Sequence, residues 1–192
     1  MAAKYLAFDI ETAKIIPGQV AADLVRYLVD AGSRGYTVLS WNGLGFDFDI
    51  LAEESGLIDE CRQLARLHVD MMFHAFCELG YPIGLDRAGQ GMGLPGKLAG
   101  VPQHLVPQYW ADGRCDEVLQ YVSQDVRLTL ELALACDKRR ALRWIAHSGK
   151  ARECRLQRGW LSVDAAMRLA APDTSWMRDP IPRTRFTQWL QS

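Results

Sequence analysis

Short apolar runs and helical stripes alternate along the chain, and the alternation predicts a fold class before any residue is read for chemistry. Tyr5-Leu6-Ala7-Phe8 is a continuous apolar run that turns into alternation at Asp9-Ile10-Glu11, the pattern of a strand whose last residues leave the core. Successive strand side chains point to opposite faces, so Asp9 and Glu11 project the same way. After Pro17-Gly18, the residues Val20, Leu24, Tyr27, Leu28 and Ala31 recur at helical spacing, with Gly32 as the stop. The β-branched and aromatic stretch from Tyr36 to Trp41 predicts a second buried strand, and Asn42-Gly43 the turn after it.

Helical character follows from Phe46 to Glu54 and from Ile58 to Leu67, and Val69 to Phe73 reads as a short strand or a strand-to-helix junction. The Gly- and Pro-rich stretch from Gly80 to Gly113 predicts short helical turns and loops. The longest periodic segment runs from about Asp116 to Arg143, with Val118, Leu119, Val122, Val126, Leu130 and Ala133 on its apolar face. Strands alternating with helices predict an α/β sheet covered by helices. Beyond His147 the texture changes: four of the six tryptophans (Trp144, Trp160, Trp176, Trp189) lie in the last 50 residues. There Asp164 to Ala171 suggests a short helix, and Pro172, Pro180 and Pro182 an extended tail that packs by its aromatics.

Composition narrows the class. With 192 residues, 49% of them hydrophobic and 23% charged, the chain suits one folded domain with an appendage. Its formal charge of −1 excludes binding to nucleic acid through a generally positive surface, so any polyanion must be held locally. The apolar runs are too short for a membrane span and the N-terminus leads straight into a strand, from which a cytoplasmic protein is expected. Five cysteines (Cys61, Cys77, Cys115, Cys136, Cys154) without a C-x-x-C pair read as reduced, mostly core thiols. His68, His74, His104 and His147 lack mutual metal-ligand spacing and read as structural or surface residues.

Candidate chemistry lies in the acids at the ends of apolar elements. Asp9 and Glu11 share a face at the end of the first strand, Asp47 follows the turn after the second, and Asp125 stands one helical turn after Tyr121. Singly, each has an ordinary reading: a D-x-E pair is common, an acid at a helix N-terminus interacts with the helix dipole, and Tyr121 with Asp125 fits a half-buried helix face. Together they suit a hard divalent cation, since converging carboxylates are stable only with a cation between them.

The segments Phe8-Asp9-Ile10-Glu11-Thr12, Asn42-Gly43-Leu44-Gly45-Phe46-Asp47 and Tyr121-Val122-Ser123-Gln124-Asp125 resemble, in order, the three motifs of the DEDD (DnaQ-like) 3′-to-5′ exonucleases. The Tyr-x-x-x-Asp form resembles the tyrosine subgroup, and the stretch from Leu85 to Lys97 is similar to stand-alone exonucleases related to the proofreading domains of family B DNA polymerases. The likeness spans about residues 4–140. It implies a ribonuclease H-like fold with a mainly parallel sheet, over residues 1–147; the change of texture beyond it makes 148–192 a Trp-rich basic extension expected to pack on that domain. It further implies that Asp9, Glu11, Asp47 and Asp125 hold two Mg2+ or Mn2+ ions and that Tyr121 orients the attacking water. Thr12, Asn42 and Phe46 would contact substrate. Asp49 reads as solvated, whereas Asp70 has a possible supporting role.

Two features qualify the likeness. Residues 12–19 leave no room for the antiparallel hairpin of strands 2 and 3, so the hairpin is expected to be missing and the first strand to be an exposed edge. The tail or a second copy of the chain, in a homodimer, would then cover that edge. Between Lys138 and Arg158 stand eight basic residues and one acid, Glu153. With Trp144 and Trp160 this stretch suits a phosphate backbone, Arg152 and Arg155 being candidate contacts, or equally a solvated helix end. The expectation is a two-metal exonuclease acting on single-stranded 3′ ends, DNA favoured over RNA. The alternative is a catalytically impaired relative that binds nucleic acid or a partner protein.

Overall fold

The computed structural model describes residues 4–11, 18–95 and 103–191. Three short strands form a parallel sheet in the order β1-β2-β3: β1 Tyr5–Ala7, β2 Thr37–Ser40 and β3 Val69–Asp70. Tyr5 pairs with Thr37 and Leu39 with Val69, and the Phe8 N–H extends the β1-β2 ladder by one bond to the Leu39 carbonyl. Parallel neighbours need crossovers, supplied here by helix α1 (Gly18–Ser33) between β1 and β2, and by α2 (Asp47–Ser55) and α3 (Ile58–Leu67) between β2 and β3.

Alternation along β2 divides the core. Val38 packs on one face with Val25, Leu28, Phe48 and Leu64 from α1–α3, while Leu39 packs on the other with Met71 and Ala133. Ala133 belongs to α7 (Cys115–Arg139), so the sheet lies between α1–α3 and the long helix. The N-terminal helix runs through Gly32 and ends one residue later, the left-handed turn being supplied by Gly35. Helix α4 (Met71–Leu79) follows β3 directly, and α5 (Leu85–Gly91) and α6 (Val106–Ala111) lie within the stretch rich in Gly and Pro.

The expected long helix stops four residues early. Arg140 takes a left-handed conformation, its N–H returning to the Cys136 carbonyl, and the chain reverses into β4 (Ala141–Ile145). Leu142 and Trp144 are buried with Leu85, Ala88, Leu128 and Leu132, so burial of alternate residues prevails over another helical turn. Strand β5 (Ala151–Arg155) pairs antiparallel with β4, Arg152 opposite Trp144. The sheet arrangement is therefore a parallel core of three strands and a separate two-stranded ribbon. Gly91 lets α5 meet this ribbon, since a Cβ there would stand 2.6 Å from the Arg143 carbonyl carbon.

The chain from 160 onward returns across the body. Helix α8 (Val163–Met167) is capped by the Ser162 hydroxyl and buries Val163 and Ala166; α9 (Thr184–Thr187) buries Phe186, with Leu190 beyond it. The Phe186 ring lies 4.9 Å from Phe76 and 5.8 Å from Phe73. These contacts place the tail on α4 and the turn after β2; among the described residues only β2 pairs with β1. The segment in which the hairpin was expected, 12–17, lies outside the described residues, as does Thr12. All five cysteines are free thiols, and no described helix is long and apolar enough to cross a membrane.

Candidate metal centre

Three segments that meet at one place build the site. Just past β1, Asp9 and Glu11 leave the sheet half-buried, and Asp125 comes from the middle of α7, where it is buried. One carboxylate oxygen from each of Asp9, Glu11 and Asp125 lies within 4.8 Å of the others. Asp47, the first residue of α2, is 3% exposed and accepts a hydrogen bond of 2.8 Å from the Ile10 N–H, between the two acids of the first segment. Burial and then the Asp9 carboxylate push Asp47 well above the ordinary aspartate range, against the pull of the Ile10 N–H. Buried beside a second acid, Asp47 is costly to ionise without a cation close by, and the donor set around it is all oxygen, which fits Mg2+ or Mn2+.

The turn carrying Asp47 is held from beneath. Asn42 is left-handed, Gly43–Gly45 form a short 3-10 turn, and a Cβ on Gly43 would stand 2.6 Å from Ser40 Cβ. Asp70, fully buried, accepts from the Asn42 N–H at 3.0 Å, the Leu44 N–H at 2.9 Å and the Phe73 N–H at 2.9 Å. One side chain therefore caps α4 and fixes the turn. Burial raises the Asp70 carboxyl even so, with the N–H donors opposing.

Ser40 forms a second support. The Gly43 N–H donates to Ser40 Oγ, which lies 3.0 Å from His68 Nε2, while His68 Nδ1 lies 2.8 Å from the Ala65 carbonyl. Burial lowers His68 to about 4, so it is neutral at pH 7, with Nδ1–H donating to Ala65 and Nε2 accepting from Ser40. From the chain's other end, Trp189 Nε1 donates to the Leu44 carbonyl at 2.8 Å.

These acids line a cavity of about 570 Å³. Asn42, Trp41 and the exposed Phe46 stand on its wall, as do Ile83 and Leu85, giving it a carboxylate part and an apolar part. Trp41 is fixed by its Nε1 bond to the Ile83 carbonyl. Asp49 is exposed and does not line it.

Other sequence candidates lie elsewhere. Tyr121 is buried with Val106 and Val118 beside α6 and is not on the cavity wall. Arg152 and Arg155 are exposed on the ribbon, and Arg155 borders a smaller cavity with His74 and Glu78. The wall instead includes Ile181, Arg185 and Phe186 from the C-terminal segment, together with Thr129 of α7. Sequence reasoning missed these residues. Thr129 could have been found one helical turn beyond Asp125, on the same face, whereas nothing periodic marks Arg185. Neither the protein-family models, the curated proteins nor the solved structures contain a match to this chain.

Proposed function

We propose that the protein is a metal-dependent 3′-to-5′ exonuclease, with a ribonuclease H-like arrangement of sheet and helices, that hydrolyses phosphodiester bonds at single-stranded 3′ ends. The observation carrying this reading is the convergence of Asp9, Glu11 and Asp125 within 4.8 Å, with Asp47 on the same cavity, from three segments far apart in sequence. Asp9, Glu11, Asp47 and Asp125 would hold two Mg2+ or Mn2+ ions. When bound, such ions lower the pKa of a water and stabilise the leaving oxygen of an in-line displacement. The chain's own part is positional: Ile10 N–H aims Asp47, and Asp70 and Ser40 keep its turn from relaxing. Trp41, Phe46 and Ile83 offer an apolar wall against which a terminal base can lie.

The test is a 5′-labelled single-stranded oligonucleotide incubated with Mn2+, beside Asp125→Ala and EDTA controls. A ladder shortening from the 3′ end, absent from both controls, is the expected result; intact DNA and RNA in the presence of folded protein would refute hydrolysis.

A further inference from the structure

The C-terminal segment does more at the cavity than cover apolar surface. Arg183 donates to four carbonyl oxygens, those of Met167, Leu169, Cys77 and Ala170, at 2.8 to 3.1 Å. Its guanidinium is thereby consumed in fastening the segment to the body. Phe186, three residues on, is sunk between Phe73 and Phe76, and Trp189 is tied to the Leu44 carbonyl. Between these anchors Arg185 is exposed, lines the acidic cavity and makes no salt bridge among the described residues. An arginine held at the mouth of a carboxylate-lined cavity, with its fork unspent, is placed for an anion that enters there.

We propose that Arg185 binds the phosphate of the 3′-terminal nucleotide, which makes the C-terminal segment part of the substrate site. The identity of the ligand rests on the exonuclease reading above. Charge balance supports it: four carboxylates are matched by two divalent cations, so the phosphodiester brings one negative charge that the acidic cluster does not answer and Arg185 does. The guanidinium also matches phosphate geometry with two parallel N–H donors, which a lysine could not reproduce.

The experiment measures binding apart from turnover, using a fluorescein-labelled single strand with phosphorothioate 3′-terminal linkages in Mn2+, across a range of salt. Arg185→Ala is expected to raise the Kd about tenfold, the loss of one charge-assisted hydrogen-bond pair. It should also reduce the slope of log K against log salt by about 0.7, the loss of one phosphate contact. Arg185→Lys should recover the slope and part of the affinity, while Arg178→Ala, exposed on the same segment but not on the cavity wall, should change neither. On a cleavable strand Arg185→Ala should raise KM with kcat little changed. An unaltered Kd and salt slope in Arg185→Ala would overturn the proposal while leaving the nuclease intact. Wild-type protein that binds the strand, loses affinity with Arg185→Ala, yet never cleaves would sustain the arginine's role and remove the exonuclease reading. Absence of binding by the wild type would remove both.

Discussion

Replacing Asp70 tests whether the turn before Asp47 is held from below. Its carboxylate accepts N–H groups of Asn42, Leu44 and Phe73, of which Leu44 and Phe73 are fully buried. Asp70→Ala leaves two buried donors that water cannot reach and one, on half-buried Asn42, that it can. At about 1–3 kcal/mol per orphaned buried donor the loss is about 4 kcal/mol, a large fraction of the roughly 5–15 kcal/mol that hold a domain together. With a slope of about 2 kcal/mol/M the urea midpoint should fall by about 2 M, read from tryptophan fluorescence. Asp70→Asn keeps the acceptor oxygen shared by Asn42 and Phe73 and turns an amide against the Leu44 N–H, so it should cost about half as much. Because that bond restrains the segment leading to Asp47, Asp70→Asn should also weaken Mn2+ binding in the folded protein. Equal stabilities of Ala and Asn variants, or a loss below about 1 kcal/mol for Ala, would refute the argument.

Four further outcomes follow from the same geometry. Asp47 and Asp70 have raised values in the folded protein, so they keep protons that the unfolded chain has already released near pH 4. Metal-free stability should therefore fall as pH climbs from the ordinary aspartate range through the raised values, the reverse of a salt-bridged acid. Mn2+ requires the ionised carboxylate, so the melting shift it produces should grow as pH climbs from the ordinary aspartate range through the raised value of Asp47; a shift independent of pH would contradict the coupling. Gly43→Ala pushes a methyl into Ser40, which is bonded to His68 and the Gly43 N–H, and should cost about 1–3 kcal/mol by thermal melting. Phe186→Ala removes the ring between Phe73 and Phe76 and should cost about 3 kcal/mol, with a looser grip on oligonucleotide; unchanged stability would mean that the tail is not part of the core.

Local pattern determined a good deal here. The apolar run at Tyr5, the helical stripe from Val20 and the β-branched run at Thr37 each carry a periodicity read within a few residues, and each became the element expected of it. The order of the acids was legible for the same reason: Asp9 and Glu11 follow a strand end, Asp47 a turn, and Asp125 stands within a long apolar stripe. Where local signals conflict, pattern fails. Residues 141–145 continue a helical stripe by composition, yet Leu142 and Trp144 find their partners on α5 and α7, and Arg140 reverses the chain to reach them. Tyr121 shares a helical face with Asp125 in any helix, but only the fold brings Val106 of α6 against it.

What the fold alone decided are the contacts between distant segments. Asp70 and the turn at Asn42 are 28 residues apart, and Trp189 and Leu44 are 145 apart. A hydrogen bond across such a separation leaves no periodicity, because nothing in the neighbouring residues depends on it. Arg185 is the clearest instance. In sequence it is one basic residue in a tail that contains several, and only the seating of Phe186 on α4 and the fastening of Arg183 to four carbonyls bring it to the cavity of the carboxylates that follow β1 and that of α7.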